Sequence, residues 1–176
     1  MVVLDDATVT PAQVEAQSIG FVSYSVGRSV PAVDALDDVE VPVWVGRPVY
    51  FDDFDLTREP RSQYGTKPGN TLTIEDETHP AAAGRTGTVV IQGASKKVSF
   101  GVPTPEAAVV ATSTGDASVF TVETGDQLAS GDPAPSCRMT FPVVANAAAT
   151  YTADGWAMFD AAPTRSTSSC TARLPR

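Results

Sequence analysis

Valines at positions 39, 41, 43 and 45 fall on one side of an extended chain, with Glu40, Pro42 and Trp44 on the other. A period of two is that of a half-buried β-strand, because successive side chains in a strand point to opposite faces. Pro42 has no N–H to give to a ladder, which predicts that this strand lies at a sheet edge. Further short apolar runs lie at 19–26, 71–74, 86–92, 97–102, 117–123, 139–144 and 155–159. They are bounded by turn-forming clusters such as Pro68-Gly69-Asn70, Thr114-Gly115-Asp116, Thr124-Gly125-Asp126 and Ser130-Gly131-Asp132-Pro133. Gly93-Ala94-Ser95, between two apolar runs, reads as a hairpin loop.

Helical signals are few. Thr10-Pro11-Ala12-Gln13 has a capping threonine, proline at the first helical position and glutamine at capping-box spacing, and the segment ends before Gly20. Thr104-Pro105-Glu106-Ala107-Ala108 reads as a single turn at most. Strands recurring every 8 to 14 residues, without helices between them for crossovers, predict an all-β chain. The expected architecture is an antiparallel β-sandwich or barrel with long extended loops or an arm, and at most one or two very short helices. It forms one β-rich domain over 1–176, with 1–17 as an N-terminal arm. Residues 132–176 are expected as a C-terminal subdomain, hinged at the proline-containing stretch 130–136.

The segment 49–63 breaks the pattern by mixing aromatics with charges and keeping no period. With 31–39 it reads as a long connection, or as an arm that orders against a partner. Trp44, Tyr50, Phe51 and Phe54 lie within eleven residues of one another. If exposed they would make a protein interface or a carbohydrate platform; if buried they would plug a small core. Trp156 and Phe159, flanked by Ala and Gly, read as ordinary core.

Charge narrows the partners. Twelve basic and 21 acidic side chains give a formal charge of −9, which argues against nucleic acid and against anionic lipid. No run approaches the roughly 18 to 20 apolar residues that a bilayer requires, so no membrane span is expected. Residues 1–6 lack a basic segment followed by a long apolar one, so no export signal is read there. Arginine outnumbers lysine nine to three and Ala, Val, Thr, Gly and Pro abound, a composition that points to a GC-rich coding source such as an actinobacterium or its virus. Cys137 and Cys170, 33 positions apart in serine-rich contexts, read either as a disulfide closing the C-terminal loop or as two separate buried thiols. A bridge would stabilise by about 3 to 4 kcal/mol and imply an oxidising setting.

Little chemistry is on offer. The single histidine, His79, stands beside Pro80 and the run Ala81-Ala82-Ala83-Gly84, and reads as part of an exposed loop; no Gly-x-Ser-x-Gly elbow supplies it with a nucleophile. Asp52-Asp53-Phe54-Asp55 and Glu75-Asp76-Glu77 carry hard oxygen ligands without the EF-hand spacing, so they read as solvated turns. Gly84-Arg85-Thr86-Gly87-Thr88 lacks the spacing and the lysine of a phosphate cradle, and no strand–glycine–helix unit suits a dinucleotide. No catalytic, metal or cofactor site is expected.

Short strands, proline-interrupted edges and long connections suit a chain that works by contact. The expectation is a non-enzymatic assembly protein, foremost a virion subunit of a tailed bacteriophage: a head-decoration, minor capsid or tail protein. Its partners would be protein subunits of the same assembly, as a homo-oligomer or a capsid or tail lattice. The alternative is an exported bacterial surface or pilus-like adhesion module, extracellular or on the cell surface.

Overall fold

The computed structural model of the chain describes residues 2–28, 30–58, 61–93, 96–144 and 147–168. In chain order the elements are α1 (Pro11–Glu15), β1 (Gly20–Val22), α2 (Pro31–Asp34), β2 (Val43–Val45), β3 (Tyr64–Gly69), β4 (Thr71–Ile74), β5 (Thr88–Val90), β6 (Lys96–Gly101), β7 (Ala108–Ser113), β8 (Asp116–Val122), β9 (Arg138–Thr140) and α3 (Ala153–Ser168). Short 3-10 turns cover Pro48–Tyr50, Arg61–Gln63, Pro80–Ala82 and Ala148–Thr150. Thr10 and Gln13 do form the capping box at the start of α1.

The nine strands among the described residues belong to one open, mixed sheet in the order β1-β2-β9-β8-β7-β4-β5, and β6 branches from β8 at Gly101–Ala117 to pair with β3. β1 runs parallel to β2, and β2 parallel to β9; the other pairs are antiparallel. The chain is mostly β with few helices, as expected, but it is not the all-antiparallel sandwich or barrel of the sequence reading. The connection from β1 to β2 explains the difference, since residues 23–42 are long enough to cross over and carry α2 on the way.

Three local expectations are overturned. β2 is interior, between β1 and β9, because Pro42 stops just short of the ladder and leaves residues 43–45 free to bond on both sides. Gly93 does not lead into a hairpin, because β5 pairs with β4 while β6 pairs with β3 and β8; Ala94 and Ser95 lie outside the described residues. The run 155–159 is helix, not strand, and α3 at 16 residues is longer than any helix expected. β3 and β7 were not foreseen as strands. β3 carries Gly65, Lys67, Pro68 and Gly69, poor strand formers held by pairing with β6.

The sheet is buried on both faces. One face holds Val43, Val45, Phe120 and Val122 under a layer made by Tyr50, Phe51, Phe54, Leu56, Val33 and Val14. The other holds Trp44, Leu72, Val110, Val119 and Met139 against Met158 and Ala162 of α3. Successive residues of β8 point to opposite faces, so Val119 faces α3 while Phe120 faces the aromatic layer, and the irregular register on β7 lets adjacent Val110 and Ala111 both serve the α3 core. On the other side of β8 the Thr140 hydroxyl of β9 bridges the two strands, accepting from Phe120 N at 3.1 Å and donating to Ser118 O at 3.1 Å. The segment from 132 onward, expected as a subdomain, runs through the sheet as β9 and returns to its face as α3. Residues 1–17, expected as an arm, bury Val9 and Val14 in the first core, and Asp6 accepts from Gly27 N at 2.9 Å.

Candidate functional site

α3 is set against the sheet by a compact group of contacts. Thr152 donates its N–H to Ile91 O at 3.1 Å and its hydroxyl to Val90 O at 2.6 Å, while the same oxygen caps the helix by accepting from Gly155 N at 3.1 Å. Arg85 Nε reaches Asp154 Oδ1 at 2.8 Å in the first helical turn. Met158 and Ala162, four apart, then face the core, and Trp156 and Phe159, three apart, share an adjoining face.

Those two side chains complete a seam of six aromatic rings. Trp44 of β2 is its centre, with ring centroids 4.6 Å from Phe159, 5.0 Å from Phe21 of β1 and 5.5 Å from Phe141. Phe159 lies edge-on to Phe141 at 5.7 Å, to Trp156 at 5.4 Å and to Phe21 at 6.1 Å. Tyr151 closes the group at 5.3 Å from Trp156, its hydroxyl donating to Pro142 O at 2.9 Å; burial alone pushes that phenol well above its ordinary value. Tilted and edge-to-face pairs of this kind contribute about 0.5 to 1.5 kcal/mol each beyond area burial. The seam is graded in exposure. Trp44 is 2% exposed, whereas Phe21 is 43% and Trp156 41% exposed. A rigid aromatic group rooted in the core thus comes to the surface beside β1, the terminal strand of the sheet.

The aromatics singled out in the sequence fall elsewhere. Trp44, Tyr50, Phe51 and Phe54 are all buried, so of the two readings it is the core plug that the structure shows; Trp44 serves one core and the other three serve the opposite one. Segment 49–63 is accordingly a plug under the sheet as far as Leu56, not a free arm. Tyr50 is pinned by its hydroxyl, which donates to Gly27 O at 2.6 Å and accepts from Val30 N at 3.2 Å. Trp156, read as core, is the exposed one, because the helix turns it away from Met158. Cys137 is buried, and Cys170 lies outside the described residues.

His79 is buried, not loop-exposed: Asp76 Oδ1 accepts from Thr78 N, Thr78 Oγ1 and His79 N, and His79 Nδ1 accepts from Ala81 N at 3.1 Å to start the 3-10 turn. Those bonds hold the Asp76 carboxyl below its ordinary value. Among the described residues no group of three or more His, Cys, Asp or Glu is placed to hold a metal, and no helix is long and apolar enough to cross a membrane.

One residue with no signal in the sequence organises the sheet centre. Arg138 is fully buried, and its guanidinium donates to five carbonyls: Asp37 at 2.6 Å, Val39 at 2.8 Å, and Val41, Ser136 and Cys137 at 3.2 Å each. Desolvation lowers it to about 10, against the pull of Asp37 and Asp38. It stays charged at neutral pH and staples residues 37–41 to β9.

No family model and no curated protein matches the chain. Its fold is similar to that of a solved structure described as Cytoplasmic Protein STM3548 from Salmonella typhimurium, with a TM-score of 0.54 and 10% identity over 86% of this chain and 74% of that one.

Proposed function

We propose that this chain is a non-enzymatic assembly subunit whose working surface is the exposed end of the aromatic seam, Phe21 and Trp156, beside strand β1. The observation that carries this reading is the gradient from Trp44 at 2% exposure to Trp156 at 41% within one set of touching rings. Exposed aromatics held rigid by a buried root lose little conformational entropy on contact, which is why Trp and Tyr dominate the energetics of interfaces. The setting we propose is the virion of a tailed bacteriophage, as a head-decoration, minor capsid or tail protein. Support for that setting comes from composition alone, and a gene neighbourhood of capsid and tail proteins would be its test.

The surface is tested with Trp156→Lys, compared with wild type in light scattering and in binding to structural proteins encoded beside it. Circular dichroism should be unchanged and association about 30-fold weaker, the loss of about 2 kcal/mol that marks an interface hot spot. Association of undiminished strength would overturn the reading.

A further inference from the structure

The three lysines of the chain, Lys67, Lys96 and Lys97, come together in the fold. The antiparallel register of β3 and β6 sets Lys67 opposite Val98, Pro68 opposite Lys97 and Gly69 opposite Lys96, so all three lie at one end of this ladder. Lys67 ion-pairs with Asp116, and its ammonium stands 4.5 Å from the centre of the Phe100 ring. Lys96 and Lys97 are exposed, and neither has a carboxylate within ion-pair distance among the described residues. The tip therefore carries surplus positive charge in a chain of net −9.

The opposite end of the ladder is acidic. Tyr64, at the start of β3, donates its hydroxyl to Asp52 Oδ2 at 2.5 Å. Beyond the Gly101 end of β6, Pro103 bridges to Thr57 and Thr104 donates to Gln127 O at 3.2 Å. Ala129 N donates to Asp55 O at 2.8 Å, which draws the loop after β8 to the same end. Asp37 and Asp52 act on Asp34, while Asp37, Asp132 and Asp38 act on Asp55. Six aspartates thus form one region, and none is in an ion pair among the described residues; the buried Arg138 offsets part of their charge from behind. A strand rises about 3.3 Å per residue, so the five steps from Tyr64 to Gly69 separate the two ends by about 16 Å. Charges are largely screened beyond about 8 Å at physiological ionic strength, so the ends do not neutralise each other within one chain.

We infer that the lysine tip of one copy docks on the aspartate region of the next, a head-to-tail contact between copies of this chain. It goes beyond the aromatic surface proposed above and gives the assembly a second contact. Charge complementarity selects the occupant, because the chain itself presents the carboxylates that Lys96 and Lys97 lack. Screening makes the encounter depend on the charges near the contact and not on the whole −9. Two different surfaces meet, so each joined copy keeps one of them open, and the arrangement continues as a ring or a filament.

Light scattering of the purified chain reads the contact as NaCl is raised from about 0.15 to 1 M, which shortens the screening length from about 8 to about 3 Å. Association should weaken with salt, whereas repulsion between acidic subunits acting alone would make it strengthen. Lys96→Gln/Lys97→Gln and Asp38→Asn/Asp132→Asn alter exposed positions only, so circular dichroism should be unchanged. Each variant should associate about tenfold more weakly than wild type and no longer weaken with salt. Mixed in equal amounts, the two should associate more tightly than either alone, because one keeps the aspartates and the other the lysines. Association that rises with salt, lysine neutralisation without effect, or a mixture no tighter than its components would overturn the contact. Trp156→Lys separates the two surfaces, since it should weaken association yet keep the fall with salt. A loss at Trp156 together with a wild type indifferent to salt would overturn the lysine contact and leave the aromatic reading standing. A wild type that stays monomeric would overturn the contact as well.

Discussion

Gly155, in the first turn of α3, lies against the main chain of Ile91 so closely that a β-carbon there would stand 3.0 Å from the Ile91 carbonyl carbon and nearer still to its oxygen. Neither neighbour is a side chain that can swing aside. The position fixes how deeply the helix sits and therefore where Trp156 and Phe159 emerge.

Gly155→Ala should accordingly destabilise the protein by about 3 kcal/mol, the upper end for overpacking, although alanine favours helix by about 1 kcal/mol over glycine. Urea unfolding monitored by tryptophan fluorescence measures it. An unchanged or raised midpoint would show that α3 does not press on the sheet at this point.

The same contact explains what was legible in the sequence. Glycine at 155 and proline at 163 both argue against a helix, and both lie inside α3; the local signal was overridden by a packing requirement that only the folded chain reveals. The capping box at Thr10 was legible because it is local, and β4 at Thr71–Ile74 because Gly and Asn bound it. The valine alternation at 39–45 was real. Val43 and Val45 do share a core, but Trp44 points into a second one, so the strand is buried on both sides and lies inside the sheet. Exposure of Trp156 was invisible, since a strand reading of 155–159 assigns it the wrong neighbours.

Arg138→Met should cost about 3 to 5 kcal/mol, because five carbonyls lose their donor in a site closed to water. Arg138→Lys should recover only part of this, as an ammonium has three protons and no planar fork. Thermal melts of the two variants decide it, and a lysine variant equal to wild type would remove the fork geometry from the account.

Mild acid should stabilise the layer under the sheet. Burial, and then the charges of Asp37 and Asp52, raise the Asp34 carboxyl; burial raises Asp55 against an opposing bond from Ser130. A carboxyl raised in the folded state takes up protons on folding, so stability grows as pH falls through the window just above the ordinary 3.8. Asp76 is lowered and acts oppositely, its contribution being lost below 3.8. Melting temperature from pH 7 downward should therefore rise before it falls, and Asp34→Asn should flatten the rise and raise the value at pH 7. A monotonic fall in wild type would contradict the assignment.

Cys137 is buried at the foot of β9, and the sequence leaves it either bridged to Cys170 or as one of two separate thiols. If they are bridged, thiol titration in denaturant should find no free thiol, and reduction should cost about 3 to 4 kcal/mol. Two titrating thiols would mean separate cysteines.

The most direct measurement for the working surface is iodide quenching of tryptophan fluorescence across the assembly transition. The chain has two tryptophans, of which Trp156 is open to solvent and Trp44 is not. Subunits kept apart should show one quenchable and one protected population. As association proceeds, the quenchable population should disappear, because Trp156 becomes covered. A Trp156 signal equally open to iodide in the free and the assembled states would place the contact elsewhere and contradict the account.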